Sequence, residues 1–378
     1  MRDKKIGIIT FHASHNCGSM LQAYALQTYL EKNYKISTEI IDFSSEEQKR
    51  CYSLLYKPRS IKQVLRNILN LFFIRRLKKH FNDYEDFKNN KLKLSEGKYS
   101  TCEQLAETVG KYSCIISGSD QIWNTRALDF SDAYFGAFDN ETPKYAYAVS
   151  LGATDIFDCE EKRKEQILGF INGYARISVR EKNAQRIIGN GVNQSVEICA
   201  DPTLLLEPSE WNYLTGKPEI KGKYIFWYAM TYKRDVSKVV EKISADTGLP
   251  IYVIDAKEWS RRGLFRYGIR VAEKGGPASF LSLVKNAEIV ITSSFHETVF
   301  SYLFRKKFWY LNIHDKPTKD DRASSLLEQL GLLNRYVSKT EMLKKDINEP
   351  IYFNNDDSMK ECIEKSREFI DHITDDIS

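Results

Sequence analysis

The sequence predicts an α/β protein made of two parallel-sheet units in series, and three observations carry that prediction. Short apolar runs alternate with amphipathic stretches, the pattern of strands joined by crossover helices. The alternation restarts after a polar segment, Thr215–Lys223, which holds two glycines and one proline. At 378 residues the chain is about two to three times the usual single-domain size. These features divide it into an N-terminal unit of residues 1–215 with a basic helical insertion at about 57–93, a C-terminal unit of 223–357, and a closing helix in 358–378.

Taken in order, Lys5–Phe11 reads as a first strand and Ile36–Phe43 as a second. Between them, Leu21, Ala25, Leu26 and Leu30 keep helical spacing over Ser19–Glu31. Cys114–Ser117, Tyr145–Ser150, Ala175–Val179 and Val196–Ala200 are further strands, several followed by Gly, Ser, Asp or Pro breakers. The second unit opens with the apolar run Tyr224–Met230. It continues as helix Asp235–Thr247, strand Pro250–Asp255, helix Pro277–Asn286, strand Glu288–Ser293, helix Glu297–Arg305 and strand Lys307–Asn312. Cys362, Ile363, Phe369, Ile370 and Ile373 form the stripe of the closing helix.

Composition narrows the function classes. A hydrophobic fraction of 42% with 28% charged residues suits a packed core, so wholesale disorder is not expected. Lys and Arg (56) nearly balance Asp and Glu (51), which gives no basis for a nucleic-acid partner. The richest apolar stretch, Ile68–Ile74, is short and contains Asn70, far from the roughly 18 residues of a membrane span. The short apolar run after Met1–Lys5 does not read as a secretory signal. Seven scattered cysteines with no C-x-x-C pair read as reduced thiols, so a cytoplasmic location is expected.

Charge is concentrated in Lys57–Lys93, where eleven Lys or Arg face three acids; this net of +8 leaves −3 for the other residues. Ile61, Val64, Leu65, Ile68, Leu69 and Phe72 keep helical spacing there. Such a helix fits either of two roles: peripheral contact with an anionic membrane, or an inserted helical pair packed on its own domain with a solvated basic face. The second is the preferred expectation.

In an open parallel sheet, ligands bind beyond the strand carboxyl ends, where helix N-termini aim free N–H groups at them. Two segments fit. After Lys5–Phe11, the loop H-A-S-H-N-C-G-S offers Asn16 and Ser19 as polar contacts and Gly18 for a close backbone turn. After Ile289–Ser293 come Ser293, Ser294 and His296, the last placed as an acid–base group at a helix start. Each also has a plainer role, the serines as caps and His296 as a structural histidine. Arg180, followed by Glu181, is either an anion-recognising fork or part of an ion pair. Gly118–Asn124 (G-S-D-Q-I-W-N) is either a sugar platform or a turn anchored by Trp123. Asp201–Pro202 is a hinge, a ligand contact or punctuation. The chain has no Walker loop, G-x-G-x-x-G, H-E-x-x-H or G-x-S-x-G. His12 and His15 have no second ligand group after Cys17, so no metal site is expected.

The blocks N-C-G-S-M-L-Q-A-Y-A-L-Q, I-S-G-S-D-Q-I-W-N, I-S-V-R-E-K, A-D-P-T-L-L-L and A-E-I-V-I-T-S-S-F-H-E-T-V-F-S together resemble the polysaccharide pyruvyl transferase family, in its order, from about Lys5 to Leu333. The resemblance implies two Rossmann-like domains facing a central cleft, similar to the glycosyltransferase-B arrangement, with the acceptor side in the first and the donor side in the second. It implies phosphoenolpyruvate as co-substrate, no cofactor, and a glycan diol as acceptor, either on a polysaccharide or on its lipid-linked precursor. By motif, His296 is the catalytic residue and Arg180 a donor-site residue. Asn16, Gly18, Gln22, Asp120, Gln121 and Asn124 line the cleft, and Ser293 and Ser294 lie beside the histidine. Arg322, which opens a helix after a polar loop, is a further anion contact. Two positions depart from the family: Glu297 stands where glycine is common after the histidine, and Ser294 where some members carry an arginine that would contact phosphate or carboxylate. The alternatives are a nucleotide-sugar-dependent glycosyltransferase on the same scaffold and a non-catalytic glycan-binding member of the family.

Overall fold

The computed structural model describes residues 4–377 except 59, 108, 140, 314–319 and 355. Strands β1 (Lys5–Ile9), β2 (Ser37–Phe43), β3 (Leu94–Tyr99), β4 (Cys114–Asp120), β5 (Lys144–Val149), β6 (Arg176–Val179) and β7 (Val196–Ile198) form one parallel sheet in the order 3-2-1-4-5-6-7. A second parallel sheet contains β8 (Ile225–Tyr228), β9 (Ile251–Val253), β10 (Arg270–Val271), β11 (Ile289–Thr292), β12 (Phe308–Asn312) and β13 (Tyr336–Ser338), ordered 10-9-8-11-12-13. Both are doubly wound, with the strand order reversing between β1 and β4 and again between β8 and β11. Ligand crevices form at such reversals. The central strands are buried on both faces, which is why they read as continuous apolar runs.

The two units share an apolar core. Trp211, fully buried on helix Pro208–Thr215, meets Phe300 of the second unit edge-on at 4.9 Å and Tyr24 of the first at 5.9 Å. The chain also crosses between units at both ends. Helix Asp356–Asp376 returns to the first sheet: Ser366 Oγ accepts from Ala200 N at 2.7 Å, and Phe369 packs on Tyr147.

The basic insertion meets the preferred expectation only in part: it packs on its own domain, where Phe87 meets Tyr24 and Tyr84 Oη lies 3.3 Å from Cys17 Sγ, and it packs on the second unit as well. It forms helices Ile61–Phe72 and Ile74–Lys91, which lie against the second unit. The two-residue strand β10 leaves nearby backbone groups open, and the insertion satisfies them. His80 Nε2 bonds the Ala272 carbonyl at 3.1 Å, and Gly275 N donates to Asp83 at 2.8 Å. Leu77 joins the apolar core of the second unit, and Lys79 pairs with Glu273. Burial pushes the His80 pKa down to about 4, so this contact is made by a neutral ring. Among the described residues, no helix is long and apolar enough to cross a membrane.

Candidate active site

A cavity of about 220 Å³ lies where the two strand-order reversals face each other. From the first unit it is lined by Asn16 and Ser19 after β1 and by Asp120, Gln121 and Asn124 at the end of β4. From the second come Ser293, Ser294, Phe295 and His296 after β11, together with Arg322. Nine of the sequence-predicted site residues therefore meet in one hollow: Asn16, Ser19, Asp120, Gln121, Asn124, Ser293, Ser294, His296 and Arg322.

His296 sits on the first turn of helix Phe295–Leu303, and no side chain caps that helix. Neither serine hydroxyl fills the plainer role of a cap: Ser294 makes no cap bond, and Ser293 Oγ is buried without a hydrogen-bond partner. The positive end of this helix is thus open to a ligand. His296 Nε2 lies 3.3 Å from Asp201 Oδ2 and 3.4 Å from Arg180 Nη1. The two neighbours ask opposite things of Nε2: the Asp201 carboxylate accepts a hydrogen from it, whereas an Arg180 N–H can only donate to it.

Arg180 sits beneath the cavity floor rather than in it, with a side chain 1% exposed. Its Nη1 donates to Asp201 and its Nη2 to Asp120 at 3.0 Å, while its guanidinium stacks 4.5 Å over the Phe295 ring. The expected fork toward a ligand instead holds two carboxylates. Burial would raise Asp120, but Arg180, His296 and the Ser19 hydroxyl, which donates at 2.5 Å, hold it below the usual carboxylate range. Asp201 is likewise held well down against burial by His296 and Arg180. Asp120 also has φ +75°, a conformation uncommon outside glycine, so backbone strain accompanies this aim of its carboxylate.

The guanidinium that does reach the cavity is that of Arg322, which holds Asp320 through Nε at 2.7 Å and Nη2 at 2.5 Å. Next to Arg180, Glu181 accepts from Ser150 Oγ at 2.7 Å and Leu151 N at 2.9 Å. Burial pushes its pKa from 4.5 to about 7, against the pull of Arg180 and Arg322. Glu297, fully buried, is raised well above the carboxylate range by burial, so it is carried as a neutral acid.

Two expected lining residues lie behind the site. Gln22 is fully buried; its Nε2 donates to Thr10 and to the Ser19 carbonyl, and its Oε1 accepts from Ser119 N at 2.9 Å, bracing the end of β4. Gly18 belongs to helix Cys17–Tyr34, not to a turn. Its importance is close approach: a Cβ there would stand 2.3 Å from His296 Nδ1, so the glycine admits the ring from the facing unit. Asn16 caps this helix, its Oδ1 accepting from Gly18 N and Ser19 N. His12 bonds Asp42 at 3.0 Å, and His15 bonds Glu85 at 2.9 Å while stacking on Tyr84. Among the described residues, no group of three His, Cys, Asp or Glu side chains could hold a metal ion.

Sequence reasoning missed Tyr52, Asp129 and Met230, which complete the cavity wall. Tyr52 donates to Asp129 at 3.3 Å. Tyr52 and Met230 also border a second cavity of about 410 Å³, walled by Tyr56, Phe81 and Tyr84 with Asp255, Glu258 and Arg261 at its edge. Asp129 and Met230 stand in connecting segments and Tyr52 ends the helix Glu46–Tyr52, with no motif to single them out.

The fold is shared with solved structures of low sequence identity. UDP-GlcNAc 2-epimerase from Methanocaldococcus jannaschii is similar with a TM-score of 0.55 at 10% identity, over 93% of this chain and 95% of that one. UDP-N-acetylglucosamine 2-epimerase from Rickettsia bellii gives 0.52 at 9%, over 100% and 97%. The S. aureus MnaA–UDP co-structure gives 0.51 at 14%, over 97% and 88%. These likenesses establish two facing Rossmann-like units of the glycosyltransferase-B type. No protein of curated function matches the sequence. Residues 16–315, which carry the helix of Gly18, Asp120, Arg180 and His296, match the polysaccharide pyruvyl transferase family, and the chain belongs to that family.

Proposed function

We propose that the protein transfers a pyruvyl group from phosphoenolpyruvate to two hydroxyls of a glycan, forming a cyclic ketal. The observation that supports this most is a histidine, backed by a buried carboxylate, at the uncapped start of a helix facing a cavity of about 220 Å³. That space suits a small anion better than a whole nucleotide sugar, since drug-sized ligands occupy about 300–1,000 Å³. Arg322, exchanging Asp320 for the ligand, the helix N-terminus and the unpartnered Ser293 hydroxyl hold the phosphate and carboxylate. Arg180 positions Asp201 and His296 from below. The neighbouring cavity, with aromatic walls and carboxylates at its edge, receives the glycan.

His296 delivers a proton to the methylene carbon, which makes C2 cationic. One glycan hydroxyl adds to C2, the C2–O bond to phosphate breaks with its electron pair, and the second hydroxyl closes the ketal. Of the two hydroxyl protons released, one restores His296 and one leaves on phosphate. Thermal-shift and phosphate-release measurements with phosphoenolpyruvate and with UDP-GlcNAc test the reading. Stabilisation and glycan-dependent phosphate release are expected with phosphoenolpyruvate. Stabilisation by the nucleotide sugar alone favours the glycosyltransferase, and glycan binding without phosphate release favours the non-catalytic role.

A further inference from the structure

Helix Ile61–Phe72 is built inside out. Its amides face the protein: Asn67 donates to the Tyr56 carbonyl at 2.8 Å and accepts from Tyr56 N at 2.9 Å, and Asn70, 3% exposed, donates to the Leu54 carbonyl at 2.8 Å. Its apolar side faces outward. Ile61 and Phe72 are 80% and 81% exposed, and Val64, Leu65, Ile68 and Leu71 are exposed between them. Positions 61, 64, 65, 68 and 72 fall on one face of a 3.6-residue helix, so the exposure is a continuous stripe rather than scattered residues. A stripe of this kind marks an interaction surface.

The charge around it selects the partner. From residue 57 to 81 the sequence has eight Lys or Arg and no Asp or Glu. Lys79 is engaged with Glu273, and Arg76 lies over the Trp259 ring. Lys62, Arg66, Arg75 and Lys78 are exposed. A second copy of the chain docking on the stripe would bring these like charges together. Anionic phospholipid headgroups neutralise them, while the acyl boundary covers the apolar side.

We propose that helix Ile61–Phe72 is a membrane-docking element, lying in the plane of a bilayer that contains anionic lipid. It lies on the bilayer without spanning it, and the proposal does not depend on the pyruvyl-transfer reading. Rigid support comes from the side facing the protein. Phe73 packs edge-on against Trp259 at 5.4 Å, so the docked helix would hold the second unit at a fixed attitude to the membrane.

The test is flotation of the full chain with vesicles of phosphatidylglycerol mixed with phosphatidylcholine, and with phosphatidylcholine alone. The protein is expected to float with the anionic vesicles and to be released by salt. Binding is expected to fall about tenfold or more in an Ile68→Glu/Phe72→Glu variant, and again in Arg66→Glu/Arg75→Glu. Both pairs are solvent-exposed, so thermal midpoints and phosphate release with soluble substrates should match the parent. No flotation of the parent, or equal flotation of the Ile68→Glu/Phe72→Glu protein, overturns the proposal. So does a dimer in sedimentation equilibrium that the same variant dissociates, because the stripe would then cover a second copy.

Discussion

Around Arg180, charged side chains occupy the middle of the molecule; along Ile61–Phe72, apolar side chains cover its outside. The first region buries Asp120, Arg180, Glu181, Asp201 and His296, all 7% exposed or less, and the second leaves six apolar residues in water. Burial of charge is costly unless each group is paired or neutralised: Arg180 pairs with Asp120 and Asp201, His296 faces Asp201, and Glu181, whose Oε2 has no hydrogen-bond partner, is pushed toward its neutral form. Exposed apolar area has no such internal remedy. The contrast shows how to treat departures from the rule of apolar inside and polar outside. A satisfied departure is held by the protein itself and tunes chemistry, whereas an unsatisfied one awaits something from outside.

The largest effect is expected from His296→Ala. Phosphate release from phosphoenolpyruvate should fall by about 10²–10⁴, with the fold retained, and a parental rate would remove His296 from the reaction. Next is Arg180→Leu, which strands Asp120 and Asp201 without their cation. Urea unfolding should show a loss of about 3–5 kcal/mol, against about 0.5 kcal/mol or less for Arg66→Leu on the outer helix. Equal costs would erase the distinction between the two regions.

Gly18→Ala forces a methyl group against the His296 ring, and a loss of about 1–3 kcal/mol is expected. Turnover should suffer more than stability, because the ring is displaced from Asp201. Glu181→Gln addresses the titrating member of the inner cluster. Its pKa is raised to about 7 in the folded protein, so the native state holds its proton more tightly than the unfolded chain. The stability this confers is complete below about pH 4.5 and is lost as pH rises through 7, at up to about 1.4 kcal/mol per pH unit. Thermal midpoints from pH 4.5 to 8 should fall less steeply in the glutamine variant, and identical slopes would count against the assignment. The smallest effect is expected from Lys182→Ala. Its pair with Glu328 is 60% exposed on both sides and should contribute about 0.5 kcal/mol or less in the same unfolding experiment.

Much of this fold is legible in the sequence, because doubly covered parallel strands leave uninterrupted apolar runs such as Ile289–Thr292. The edge strand β3 escapes that signal: Leu94–Tyr99 reads L-S-E-G-K-Y and is only partly buried. Helix starts shift by a residue or two where the first turn carries small or polar groups, as at Cys17 and Gly18. In the site, His296 is readable from its strand–loop–helix setting. The partners of Arg180 are not, since Asp120 lies 60 residues away and no local pattern links them. The reversed face of Ile61–Phe72 is also hidden, because periodicity marks a stripe without saying which way it turns.

The crossings between the two units have a mechanical consequence. A helical pair from the first half clasps the second, and the last helix of the chain clasps the first. Each half therefore completes its surface with a strand of sequence belonging to the other, as in two interlocked hooks. Severing the chain between Thr215 and Ile225 would yield two fragments that each expose a socket, and they should recover native structure only when mixed.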